Sequence, residues 1–479
     1  MAATELSPYD RHKLTNWRFA PALTLGVILM ICAALWSRAE VRPLSEYDQY
    51  FYIGIAYDLR TTGRFTDGFG FATADAGQIR PSGMRFSPLY PALVAVAMAF
   101  DSNFAHAVDC VVHSNAKDAA CPAAAALIRF MQFLMLAVFF LIVWWVAREV
   151  LCSSRAGLIA LAIAALTAPA LLRFVNYVMT EITTLMLLAL AIAAAVAAQR
   201  RGSMSWLFVA GLCLGMTALT RPANLYLGYA SALVGLGLAL WGKPRMRKLP
   251  LLLAFIGGLA MAVLPWIARN EIVLDRLALT QGYDSHTLAQ RIAYNQMNWR
   301  EYGLFYICGL PDGIGLAKIL FGPKACERFR RDPAATNSFY NIGNGPFMAE
   351  TVTAAGGWPQ HLNYLLRNYI LESPLKHLLV TVPFALAGAW INHYWGLLLG
   401  IVCAVLTWRA LRVGDKGLLV VTLPCWFMLL FHAGVAINQY RYNLILILPY
   451  SIAGAWLVER LLPRAGVIAA SRSTFLAPR

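Results

Sequence analysis

The residues best placed to do chemistry begin at Glu46-Tyr47-Asp48, two carboxylates two positions apart in a stretch, 45–63, that reads as a short amphipathic helix. A carboxylate held there could take a proton from an acceptor hydroxyl or share a metal ion. Equally, Ser45 as N-cap with Asp48 three residues on resembles a capping box, and both acids suit the positive end of the helix dipole. Carboxylates at i and i+2 diverge on a helix, and no His/Cys ligand set lies near them, so no obligatory metal is expected, with a divalent cation left open as an option. His286, His361, His377 and His432 have no spacing that suggests a site.

Downstream, Arg80 and Arg85 precede Ser-Pro-Leu-Tyr-Pro at 87–91. A guanidinium never deprotonates and offers a bidentate fork, which suits a phosphate as well as a lipid headgroup. Similar arginines recur where apolar runs end: Arg173, Arg221 in Thr-Arg-Pro, Arg269 beside Asn270, and Arg441 beside Tyr442. Glu181 opens an apolar run and either pairs with one of these arginines or caps its own helix.

The elements that must position these groups are membrane elements. Hydrophobic residues make up 59% of the 479-residue chain and charged residues 13%, with mean hydropathy +0.58, which excludes an ordinary soluble domain. The net charge of +16 comes from short Lys/Arg clusters between long apolar runs, a pattern of topology signals that points away from nucleic acid. Ten runs approach bilayer-crossing length: 19–37, 124–147, 157–173, 180–199, 205–221, 223–241, 249–268, 393–409, 417–436 and 441–461. Two shorter ones, 88–100 and 377–391, read as interfacial or re-entrant, because only then do all six basic clusters fall on one side. Those clusters are Arg11/Lys13/Arg18, Arg148/Arg155, Arg200/Arg201, Lys243/Arg245/Arg247/Lys248, Arg409/Arg412/Lys416 and Arg460/Arg464/Arg472.

The expected fold is therefore an all-α polytopic membrane protein of about ten transmembrane helices plus interfacial helices, with partly helical outer loops. It divides into an N-terminal transmembrane module, 1–268, with the acidic motif in its outer loop 38–123; a large outer loop or cap, 269–392, with an interfacial helix; and C-terminal helices with a tail, 393–479. Both termini are expected in the cytoplasm of a bacterial cell, with the chain in the inner membrane and the outer loops in the periplasm. Close cysteine pairs in the outer segments, Cys110/Cys121 and Cys308/Cys326, are expected as disulfides in such an oxidising compartment.

On these residues the chain resembles the GT-C superfamily of membrane glycosyltransferases, in particular the bacterial branch related to aminoarabinose transferases and protein mannosyltransferases. Glu46-Tyr47-Asp48, followed by Tyr50, Tyr52 and Gly63, looks like the family's modified acidic motif. Ser87 to Pro91, Thr180-Glu181, Gly211 to Pro222, Pro265-Trp266 through Arg269-Asn270, and Arg441-Tyr442 continue the likeness in order. One departure is Arg85-Phe86-Ser87-Pro88, where the family often has Pro-Pro or Lys-Pro.

The resemblance implies inverting transfer of a sugar, hexosyl or pentosyl, from a polyprenyl-phosphate donor to a periplasmic-side acceptor such as lipid A or another envelope glycan. Asp48 and Glu46 would be catalytic. Arg85, Arg221, Arg269 and Arg441, with Tyr442, would meet the donor phosphate, and Arg80, Tyr52, Glu181 and Asn270 would support the site. The rival classes are a flippase for a lipid-linked sugar, against which the near absence of mid-membrane ionisable residues counts, and an O-antigen polymerase or ligase, which would lack the early acidic helix.

Overall fold

Long apolar runs can satisfy their backbone polar groups in lipid only as helices. A computed structural model of the chain describes residues 20–68, 80–113, 121–241, 245–332 and 334–462, and among them every regular element is a helix, joined by turns and loops, with one isolated bridge between Thr66 and Ser82. Arg11, Lys13, Arg18, Lys243, Arg464 and Arg472, and with them both chain ends, lie outside the described residues.

Helix α1 (Ala20–Trp36) leads to the outer loop, which holds α2 (Gln49–Thr62), α3 (Leu89–Phe100) and α4 (Ser102–His113). The first bundle follows as α5 (Ala126–Leu151), α6 (Ser154–Leu166), α7 (Ala168–Val175), α8 (Glu181–Arg201), α9 (Met204–Ala218), α10 (Asn224–Trp241) and α11 (Arg245–Leu274). The cap contains α12 (Tyr283–Ala293), α13 (Trp299–Cys308), α14 (Gly313–Phe321), α15 (Phe339–Asn344), α16 (Pro346–Ala354), α17 (Trp358–Leu365) and α18 (Pro374–Ala389). The chain returns through α19 (Tyr394–Val413), α20 (Lys416–Val435), a 3-10 turn (Tyr440–Leu446) and α21 (Ile447–Leu461).

This is a multi-pass membrane protein. Among the described residues, six helices are long and apolar enough to cross a bilayer, and up to nine spans result if each of three bent pairs counts as one. The run at 157–173, expected as one straight span, is broken: α6 and α7 meet at 62° where Pro169 withdraws a backbone donor. Three others expected as spans, α1, α9 and α10, are shorter apolar helices. The Thr220-Arg221-Pro222 sequence ends α9 early, since the residue before proline disfavours helix. Helix α3 turns by 118° into α4, and α18 is bent by 100° from the helix before it.

Side-chain contacts separate two ends of the bundle. At one, Arg200 donates to the Glu149 carbonyl, Ser153 donates to Glu459, and Gly417 lies beside Gln199. At the other, the Arg42 amide donates to Asn176 O, Ser87 to Ala218 O, and Arg173 to the Tyr440 hydroxyl at 3.0 Å. Helices α9 and α11 close to backbone contact: a Cβ on Gly211 would lie 2.0 Å from Phe255 O, and one on Gly258 would lie 2.0 Å from Phe208 O. Small residues permit this approach, which carries helix association where the surroundings are as apolar as leucine. Disulfides Cys110–Cys121 and Cys308–Cys326 close loops in the two outer segments.

Candidate active site

The site begins with how the chain turns into α2. Gln49, fully buried, donates to Pro43 O at 2.8 Å and Glu46 O at 3.0 Å, and its oxygen accepts from the Val178 amide at 2.9 Å. One side chain thus ties the acidic turn to the lead-in of α8. Tyr47 is forced to φ +54°, a strained conformation for a bulky residue that persists only where its surroundings impose it. That twist separates the two acids. The Glu46 carboxylate accepts from the Tyr177 hydroxyl at 3.4 Å, whereas Asp48 Oδ2 accepts from Arg441 Nη1 at 2.9 Å. The helix starts at Gln49 and not at Ser45, and Asp48 occupies the cap position without capping. The expected capping box does not form.

Arg441 is the hub. Besides Asp48 it faces Glu181 Oε1 at 3.7 Å, and Glu181 is held at 2.6 Å by Arg221, whose Nε donates to Thr180 Oγ1. Both guanidiniums lie over the Tyr442 ring, at 5.1 and 5.3 Å, and Arg441 also donates to the Tyr442 hydroxyl. Glu181 is therefore a counter-ion and not a helix cap. The pairing is incomplete on both sides: Glu181 Oε2 and Arg441 Nε are buried with no hydrogen-bond partner. Asp48 keeps 37% of its side chain exposed, so the network has one open carboxylate.

Aromatic groups close over this cluster. Tyr52 on α2 is buried, and burial, then the Asp48 carboxylate, push its phenol well up. Tyr283 on α12 is raised by burial and by the nearby Tyr442, Tyr52 and Asp48, and Tyr340 on α15 by burial and then Tyr442. Arg85 packs over Trp358 at 5.4 Å, gives its amide to Asp67 Oδ1, and approaches His286 Nδ1 at 3.5 Å. His286 in turn contacts Gln290, which donates to Asn344. Burial, then the Arg85 charge, holds His286 down to about 4, so at neutral pH it is an uncharged acceptor. Tyr283, His286, Tyr340 and Trp358 all come from the cap and carry no local sequence signal.

Other residues of interest are already engaged. Arg80 Nη1 donates to both Asp58 carboxylate oxygens, 2.7 Å to each. Arg269 donates to Gly83 O, Phe65 O and Asn270 Oδ1 and stacks on Trp266 at 4.8 Å, while buried Asn270 donates to Ala278 O and Leu279 O. Arg269 braces the end of α11 against the loop that holds Phe65 and Gly83, and Asn270 holds the chain that leaves the helix. Beyond Tyr47 lies a cavity of about 700 Å³ lined by Arg42, Glu46, Pro169, Arg173, Asn176 and Tyr177, among others.

Residues 124–268 match the family model described as dolichyl-phosphate-mannose-protein mannosyltransferase. The likeness to that family covers under a third of the chain. Of the site, the matched segment carries Thr180, Glu181 and Arg221, while Asp48 and Arg441 lie outside it. The chain is also similar to the archaeal oligosaccharyltransferase AglB from Archaeoglobus fulgidus, solved in complex with an inhibitory peptide and a dolichol-phosphate. Identity there is 13% over 96% of this chain and 52% of that one, with a TM-score of 0.49. ArnT from Cupriavidus metallidurans in the apo state shares 15% identity over 92% of this chain and 77% of that one, at a TM-score of 0.36. Its undecaprenyl phosphate-bound form gives 14%, 95%, 80% and 0.37 in the same order. The chain thus spans about half the length of AglB. Among curated proteins nothing matches.

Proposed function

We propose that this protein transfers a sugar from a polyprenyl-phosphate carrier to an acceptor at one face of a bacterial inner membrane, the periplasmic face, with both termini in the cytoplasm. The observation that carries the reading is the Asp48–Arg441–Glu181–Arg221 network: an accessible carboxylate fixed against a buried, only partly compensated arginine pair, at the bundle end opposite the basic loops. Such a site suits an anionic leaving group. The lipid tail would lie among the apolar helices, and the phosphate at headgroup depth would meet Arg441, with its unpartnered Nε, and Arg85.

The acceptor oxygen attacks the anomeric carbon as the carbon–oxygen bond to phosphate breaks, and the electron pair leaves on the phosphate oxygen. The arginines stabilise that charge. Asp48 orients the attacking hydroxyl and takes its proton; a phosphate acceptor would need only the orientation. A single displacement inverts the anomeric centre. Phosphate is a good leaving group, so no obligatory metal is assigned; a divalent ion shared by Glu46 and Asp48 would have to draw them from Tyr177 and Arg441. A glycan or lipid of the cell envelope is the proposed acceptor.

The test is stereochemical. Purified protein given a polyprenyl-phosphate sugar of known anomeric configuration and envelope lipids should yield a product of inverted configuration by NMR. Retention would overturn the single displacement, and absence of product with every donor tried would overturn the transferase reading.

A further inference from the structure

Helix α14 (Gly313–Phe321) is packed the wrong way round for water. Its buried residues are Gly313 and Ala317, one turn apart, while the five large apolar side chains Ile314, Leu316, Ile319, Leu320 and Phe321 are exposed, Ile319 by 82%. A helix on a soluble cap turns its bulk inward and its polar groups outward; here the smallest residues face the protein and the bulk faces away.

Its surroundings fix its depth. The Tyr394 hydroxyl donates to Pro311 O at 2.8 Å, just before α14, and Tyr394 opens α19, one of the six helices of bilayer-crossing length. A tyrosine at the end of a span marks the headgroup level. The preceding helix α13 rests on α18 through Tyr302, which donates to Leu379 O, and the Cys308–Cys326 disulfide folds the segment back on itself. The apolar surface of α14 therefore adjoins the lipid-facing surface of the bundle. Lys318, exposed within the apolar face, and Lys324, exposed just past its end, supply the charge that anionic headgroups attract.

We propose that α14 lies in the membrane leaflet on the site's side, its five apolar side chains among the acyl chains and Lys318 and Lys324 at the headgroups, and so anchors the cap beside α19. This anchor is separate from the interfacial stretches 88–100 and 377–391, and it does not depend on the reaction proposed above.

Spin-label accessibility tests it. Full-length protein carrying Cys152→Ser, to remove the exposed free thiol, receives a nitroxide at Ile319→Cys, Ile314→Cys or, as an aqueous reference, Glu327→Cys. It is then reconstituted into vesicles of phosphatidylethanolamine and phosphatidylglycerol. Labels at 319 and 314 should be several-fold more accessible to oxygen than to a water-soluble nickel chelate, relative to 327. A 319 label as open to the chelate as 327 would place α14 in water and overturn the proposal. Shielding from both reagents would mean a protein partner, such as a second copy, covers it, and would overturn the proposal equally.

Discussion

Glu181 is a fully buried carboxylate between two arginines. Removing one partner of a buried pair leaves an uncompensated charge and costs about 3 kcal/mol or more. Glu181→Gln should accordingly lower the melting temperature in detergent by several degrees, and an unchanged melt would mean that solvent compensates Arg221 and Arg441. His286 gives a second expectation at this scale. An unfolded histidine takes its proton near 6.5, whereas the folded one holds off until about 4, because burial and Arg85, with a smaller contribution from His361, oppose it. Between those values the unfolded state binds the proton and the folded state does not, so stability falls as pH drops from about 6.5 toward 4, by at most about 1.4 kcal/mol per pH unit. Melting curves for His286→Gln should be flatter across that window than wild type; equal slopes would exclude His286 as the source.

Helices α9 and α11 are where the fold depends most on single positions. Leucine at Gly258 would drive its Cβ into the Phe208 carbonyl, and the helices could relieve this only by separating. Gly258→Leu should therefore lose folded protein in a size-exclusion assay, whereas Gly26→Ala, with open space around it, should not. Which parts of the molecule were legible in the sequence follows from the same physics. Hydropathy identified the long spans because lipid imposes one solution on the backbone, Glu181, Arg221 and Arg441 stood out as charges at the ends of apolar runs, and Asp48 as one of two close carboxylates in an amphipathic stretch. It could not show that Pro169 bends a span, or that Gln49 and the strained Tyr47 aim Asp48 at Arg441 and away from its own helix. The aim of Asp48 rests on partners more than a hundred residues away. The cap was the least legible part, since Tyr283, His286, Tyr340 and Trp358 join the site from short helices of a segment read in the sequence only as a long loop or cap.

At the scale of the whole molecule, the basic loops of the described residues gather at one end of the bundle and the carboxylate–arginine network at the other, under a cap of short helices. That polarity is what the proposed reaction between a membrane-dissolved phosphate ester and an acceptor in water would require: apolar walls for a tail, fixed cations for a phosphate, and one carboxylate open to the acceptor. The direct measurement is transfer from a radiolabelled polyprenyl-phosphate sugar by vesicles holding equal amounts of folded wild-type protein or Asp48→Asn. A catalytic Asp48 predicts a fall in transfer rate of about 10²-fold or more with the melt little changed; transfer at the wild-type rate by the folded variant would contradict it.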